Sequence, residues 1–600
     1  MSPSLGNLTY LSHLNLSHNS LSGPLPKGFF SSLNQLKVLD LSYNHLFGDA
    51  SGLPDSIQIV DISSNHFNGM VQSSFLQRAW RLVELNVSNN SFTGPILPSP
   101  CINSSFVKLL DFSYNDHSGQ IPWGLGACSK LKVFRAGFNS LSGLLPHDIY
   151  SATRLEEISL PSNHLSGLIS NDIVNLTKIT SIDLYGNKLS GKVPMNIGKL
   201  SKLKYLLLDL NSLSGSLPPS LVNCTNLKKL ILRDNFLEGD ISTFNFSSLP
   251  QLTIIDLGIN RFSGNLPVSL YSCKSLVAIR LARNRLEGQI VPEVVQLKFL
   301  SFLSLSYNRL TNITGAIKIL MRCKNLSIVM LGGNFLHEAM PGDDSIVGSN
   351  GFENIRVLGL GEFPKELCSM PALVSVEASG ENTALNLPIL GRNNGSFAQF
   401  NVLSNVQPTI FVANNSLHGN IPVEIGRLKL LNQLDFSHNS FSSNIPGQIS
   451  ELTNLERLDL SANQLSGEIP ASLTSLHFLS HFSVAYNNLH GPIPQGTQLQ
   501  SFGASAYEGN PGLCGLPLLE CAHIVSSNGG KDIQNEEDRL GLPWFPICVV
   551  LGFITGFWGV CGPLIFSYNW RVAYFQFFDN VKDRFYVKLV VLLARLHRRL

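Results

Sequence analysis

Six hundred residues would make about four ordinary domains, but only 14% of them are charged, well below the roughly 25% of a typical soluble protein. Net charge is +2, which excludes a general attraction to nucleic acid and leaves no acidic bulk either. The chain is rich in Leu, Ser and Asn instead.

Met1 opens directly onto repeating sequence (SPSLGNLTYLSHLNLSHN), with neither a signal peptide nor the polar cap that shields the apolar end of a repeat array. The reading expects the true N-terminus to be missing. From there an asparagine recurs: Asn19, Asn44, Asn65, Asn90, Asn115, Asn139, Asn163, Asn187, Asn211, Asn235, Asn260, Asn284, Asn308 and Asn334. Asn115 to Asn235 fall 24 residues apart, each in the frame LxxLxLxxNxLxGxIP. A fixed period of this length predicts a solenoid. The LxL before each Asn reads as a short strand with both leucines inward, and stacked strands make one parallel sheet on a concave face. The Asn amide is placed to bond backbone groups of neighbouring turns, and Gly-x-Ile-Pro turns the chain into its next coil. The fold class is therefore an α/β-type repeat solenoid.

Cys128, Cys224, Cys273 and Cys323 each fall eleven residues before a ladder Asn. That shared phase predicts buried thiols rather than disulfides or metal ligands. Cys101 and Cys368 have no evident place. The period breaks after Asn334 and resumes at Asn415, Asn439, Asn463 and Asn487. Between lie a degenerate half-repeat (FENIRVLGLGEFP) and a non-repeat stretch whose Leu, Val, Ile and Phe content favours a folded, ligand-binding island over a loose loop. Cys514 and Cys521 flank a Pro/Gly-rich stretch, and a bridge closing the array is expected there.

Ile547 to Phe566 has no charged residue and is long enough to cross a bilayer as a helix. Asp532, Glu536, Glu537 and Asp538 precede it; Arg571, Lys582, Arg584, Lys588, Arg595, Arg598 and Arg599 outnumber Asp579 and Asp583 after it. Positive residues stay cytoplasmic, so the expected location is the plasma membrane, single-pass type I, with the repeats outside. Gly552, Gly556 and Gly559 form a small-residue face that admits a partner helix, although glycine is also common filler in such spans. The tail from Phe585 to Leu600 alternates apolar and basic residues and is expected on the inner leaflet. Asn7, Asn15, Asn86, Asn89, Asn103, Asn175, Asn223, Asn245, Asn312, Asn325, Asn394 and Asn414 stand in Asn-x-Ser/Thr triplets, which suit a glycosylated, secreted surface. The expected domains are repeats 1–341, half-repeat 342–368, island 369–408, repeats 409–494, C-terminal cap 495–521, acidic linker 522–546, span 547–566 and basic tail 567–600.

The NxLxGxIP repeats resemble those of plant extracellular leucine-rich-repeat receptors. LTNITGAIKILMRCKNLSIVMLGGNF, NVLSNVQPTIFVANNSLHGNIPVEIGRLK and AYEGNPGLCG are similar to tyrosine-sulfated peptide receptors, over most of residues 1–521. GFITGFWGVCGPLIFSYNWRVAYFQFFD instead resembles receptor-like proteins, which carry a membrane helix and a short tail but no kinase. Against that family, GLGEFPKELCSMPAL looks like a junction where repeats were lost, which would misplace the island and weaken ligand binding.

On the concave face the exposed positions are expected two, four and six residues before each ladder Asn. Asp and Ser dominate them (Asp40 with Ser42, Asp111 with Ser113, Asp435 with Ser437, Asp459 with Ser461). The middle of the array departs from this with Tyr205, Leu207, Asp209, Lys229, Ile231, Arg233, Arg280, Arg283, Phe302 and Met330. Basic residues supply charge-assisted hydrogen bonds to a sulfate or carboxylate, and apolar neighbours bury a peptide's side chains. Tyr205, Leu207, Lys229, Arg233, Arg280, Arg283 and Phe302 are thus the expected ligand contacts. No HExxH, GxSxG, GxxxxGKS/T or kinase signature occurs, and no cofactor or metal is expected. The reading is a kinase-less receptor or co-receptor for a secreted acidic or tyrosine-sulfated peptide, paired with a receptor kinase through the membrane helix, in growth or defence. A decoy or inhibitor module, and a truncated inactive copy, stay open beside it.

Overall fold

A computed structural model describes most of residues 7–335, then 338, 352, 354–359, 389–393, 396–400, 407–413 and 418–521. A strand of three residues centres on the first apolar residue of each described LxL run, as at Tyr205–Leu207, and successive strands lie parallel in step. Their register is unbroken: Ser181 faces Tyr205, then Lys229, Ile254, Ala278, Phe302, Ile328, Val357 and Thr409 in turn. The sheet has 19 strands among the described residues. One face is filled by the repeat leucines, for example Leu203, Leu206 and Leu208, all buried. A second row of short parallel strands follows the ladder asparagines, as at Ser212–Gly215 and Phe236–Asp240. Short 3-10 helices such as Pro219–Asn223 return the chain across the opposite side.

The ladder asparagines join one coil to the one before. Asn187 Nδ2 donates to the carbonyls of Leu160 (3.0 Å), Leu184 (3.1 Å) and Tyr185 (3.2 Å), while its Oδ1 accepts the backbone N–H of Leu165 at 3.0 Å. One buried side chain thereby bonds backbone groups of two coils. The residue before each ladder Asn is left-handed even where it is not glycine, as at Arg283 (φ 56°) and Tyr307 (φ 55°). The sheet ladder and the Asn bonds on either side hold it there.

Three expectations need correction. Cys128 is not a free thiol: it is bonded to Cys101, with Cα atoms 4.7 Å apart, linking two successive coils. Shared phase could not reveal this, because Cys101 lies off the period. Cys224, Cys273 and Cys323 are buried free thiols. Second, the Asp and Ser positions are not generally open. Asp435 and Ser437 are buried, as are Asp111 and Ser113. Asp435 Oδ1 accepts from Ser437 N (3.1 Å) and Oγ (2.7 Å), so the pair braces its own turn. Asp40 with Ser42, and Asp459 with Ser461, do the same. Third, Phe302 is buried rather than exposed, as described below.

The break in the period does not break the sheet. Val357–Gly359 pairs with Ile328–Met330 on one side and with Thr409–Phe411 on the other. Phe352, Ile355 and Leu358 of the half-repeat enter the core. Within the expected island, Ile389–Asn393 and Ser396–Phe400 form an antiparallel pair. After the last expected rung, Asn510 repeats the ladder pattern, accepting from Leu489 N at 3.1 Å and donating to Val484 O at 2.9 Å. Gly512–Cys514 adds one more parallel strand beside Asn488–Pro492, and Cys514 is bonded to Cys521. Among the described residues no helix is long and apolar enough to cross a membrane. The 547–566 segment, with Gly552, Gly556 and Gly559, lies outside them, as do Asn103, Asn394, Asn414 and Cys368.

Candidate functional site

A cavity of about 370 Å³ opens on the strand face away from the leucine core, between the strand at Lys229–Ile231 and the strand at Thr409–Phe411. Sheet register decides its lining. The position four residues before each ladder Asn gives Asp256, Arg280, Ser304 and Met330 in adjacent strands, and Gly359 continues that line. The position two before gives Gly258, Ala282, Ser306 and Gly332, all lining the cavity. Four small residues in one line leave room above the backbone for a ligand chain. At Gly258 an added Cβ would come within 3.2 Å of both the Ala282 carbonyl and an Asp256 carboxylate oxygen.

Arg233, Arg280, Arg283 and Phe302 all line this cavity. Tyr205, Leu207 and Lys229 do not; they sit in the two strands before it, with the Lys229 ammonium 5.9 Å from the Tyr205 ring centre. Phe302 is 3% exposed and packs with Ile254, Ala278, Ile328 and Val357 into an apolar strip. It offers a wall rather than a projecting anchor, because equally apolar neighbours flank it at the same register.

The three arginines differ. Arg280 pairs with Asp256 at 3.1 Å and is largely buried, as is the carboxylate. Its guanidinium also lies 5.4 Å from the Phe302 ring centre. Arg283 is exposed over Tyr307, 5.0 Å from the ring centre. The Arg233 carbonyl accepts from Leu210 N and Asn235 Nδ2, but its guanidinium makes no hydrogen bond or ion pair with a described residue. Burial pulls its guanidinium below the usual arginine range, with Asp256 opposing that and Arg280 adding to it. Next to it, burial pushes the Asp209 carboxyl up to about 7, helped by repulsion from Asp256 and Asp183 and opposed by its own backbone N–H and by Arg233. Burial likewise raises Asp183 to about 6. The site can therefore meet an anion with Arg233 and Arg283, brace Arg280 behind them, and bury apolar groups on Phe302 and Met330.

Sequence reasoning missed Asp256, Tyr307, Thr409 and Phe411. Asp256 was hidden because Asp is common at its position. Thr409 and Phe411 lie beyond the break, and only carrying the register across FENIRVLGL to PTIFVANN would have found them.

A family model described as Leucine Rich Repeat matches residues 10–32, 81–102, 178–200 and 454–476. Receptor-like protein 3 of Arabidopsis thaliana is 50% identical over 624 aligned residues, spanning 92% of this chain and 82% of the relative. The chain belongs to the plant leucine-rich-repeat receptor-like proteins. Its array is similar to the plant peptide hormone receptor RGFR1 in complex with RGF2 (TM-score 0.60, 25% identity, 86% of this chain and 80% of that one). It is also similar to the Arabidopsis receptor kinase HAESA in complex with the peptide hormone IDA and the co-receptor SERK1 (TM-score 0.57, 27% identity, 86% and 88%).

Proposed function

We propose that this receptor-like protein binds an extracellular acidic peptide, including one bearing sulfotyrosine, in the Arg233–Arg280–Arg283 cavity, and signals through a partner receptor kinase. The observation that carries this is Arg233: a half-buried guanidinium without a hydrogen-bonding partner, facing a small-residue trough with an apolar wall. Such a charge is costly to bury unpaired, and an anionic ligand relieves the cost. Tyr205, Leu207 and Lys229 extend the same face toward the N-terminus and would meet the rest of an extended peptide. Solved peptide-hormone complexes on similar arrays support a peptide as the ligand class. The apolar 547–566 segment would anchor the array outside the plasma membrane and pair with the kinase's helix through Gly552, Gly556 and Gly559. Sequons at exposed positions such as Asn175, Asn223, Asn245 and Asn325 would carry glycans.

The test is a screen of acidic secreted peptides against the full chain. A hit should lose affinity when Lys229, Arg233, Arg280 and Arg283 are all changed to Ala, and unchanged affinity would reject the site. Because Arg280→Ala alone strands Asp256, Arg233→Ala with Arg283→Ala is the companion variant that keeps the fold.

A further inference from the structure

A second cationic feature lies outside the concave cavity. Between each convex helix and the next concave strand the chain makes a tight turn, whose second residue stands nine before the ladder Asn. In six successive coils that residue is Arg81, Phe106, Lys130, Arg154, Lys178 and Lys202, each in a turn. Five are cations and none is an acid. Arg81, Arg154, Lys178 and Lys202 are exposed, and Lys130 is half-buried. None of the five makes a hydrogen bond or ion pair with a described residue. Lys130 sits 4.5 Å from the centre of the Phe106 ring and Arg81 lies 4.3 Å from that of Trp80, contacts that hold each cation in place without neutralising it. Two residues further along, Lys108, Lys204 and Lys228 add exposed charge to the same edge; the acid there, Glu156, is already paired with Lys132 at 2.8 Å.

Strand spacing sets the pitch of this row. Parallel strands lie just under 5 Å apart, so five steps place six side chains along roughly 25 Å. Like charges at that pitch repel one another and hold counter-ions until a polyanion replaces them. From this row we infer a second binding site on the lateral edge of the array, for an extended acidic polysaccharide whose carboxylates recur about once per sugar. A strip no more than two cations wide suits a chain-like ligand, whereas a bilayer would need a broad plane of charge. The exposed Trp80 and Phe106 at one end add aromatic surface against which sugar rings pack. The inference rests on the extracellular placement proposed above. Were the array cytosolic, polymer binding would still be measurable while its physiological setting would fail.

The experiment uses the glycosylated full chain in detergent, because Asn175 and Asn223 end convex helices three residues upstream of this edge. The probes are polygalacturonate, its methyl-esterified form, and vesicles containing phosphatidylserine. The expected result is binding to polygalacturonate that weakens with added salt, little binding to the ester, and a loss of about tenfold or more in Arg154→Gln/Lys178→Gln/Lys202→Gln. Thermal melting of that triple variant should match the parent, since the residues are exposed. An unchanged affinity in the triple variant, equal binding to the ester, or binding to vesicles alone would overturn the inference.

Discussion

Arg280 closes a 3.1 Å ion pair onto Asp256, one coil earlier in the array, and this pair separates the structural cation of the pocket from those left to meet a ligand. Breaking it by Arg280→Ala would leave a carboxylate that is 2% exposed without its partner. The expected loss is about 3–5 kcal/mol of stability, read by urea or thermal unfolding. Asp256→Asn in the same chain should recover much of it. If Arg280→Ala melted like the parent, the pair would not be bracing the pocket.

Ligand binding should depend on pH through Asp209 and Asp183. Their carboxyls sit at about 7 and about 6, so acidification neutralises one negative charge beside Arg233, at Asp209, and a second two strands before it, at Asp183. An anionic peptide should therefore bind several-fold more tightly at pH 5.5 than at pH 8, and Asp209→Asn should flatten most of that slope. Stability follows the same sign. The folded carboxyl of Asp209 lies above its ordinary 3.8, so its contribution is complete below 3.8 and is lost as pH rises through about 7. Asp209→Asn should accordingly raise the melting temperature at pH 8 and leave it nearly unchanged at pH 4.

The ladder asparagines should be the array's most sensitive polar positions. Asn187→Ala removes one acceptor and three donor contacts: it strands the Leu165 N–H, while the carbonyls of Leu160, Leu184 and Tyr185 each keep one other donor, from Asn163, Asn211 and Ser162. A buried group left unpaired costs about 1–3 kcal/mol, so a loss of about that size is expected. Hydrogen exchange should show the loss first at Leu165, with Leu189, whose N–H is held by Asn211, still protected.

Non-reducing peptide mapping should recover Cys101 linked to Cys128, and Cys514 linked to Cys521, with Cys224, Cys273 and Cys323 alkylated after unfolding. Replacing Cys101 and Cys128 by Ser should cost about 2–4 kcal/mol, from the loop the bridge closes. A linked Cys128–Cys224 peptide would contradict the coil stacking.

The solenoid was legible because its instructions are local and repeated: every LxL strand, ladder Asn and turn glycine reads the same way in each coil. Arg233, Arg280 and Arg283 were legible as one group because parallel register turns spacing along the chain into neighbours in space. What could not be read was whatever depends on several side chains at once. Arg280 looked available until Asp256 was beside it, and Phe302 looked exposed until Ile254, Ala278, Ile328 and Val357 surrounded it. Cys101 and Asn510 were missed because each stands where the repeat frame had faded.

The most direct measurement is the affinity of one acidic peptide in sulfated and unsulfated forms, for the full chain and for Arg233→Ala/Arg283→Ala. The account predicts that the parent prefers the sulfated form by about tenfold or more, from charge-assisted contacts, and that the double variant loses that preference while melting normally. A sulfate preference equal in both proteins would contradict it.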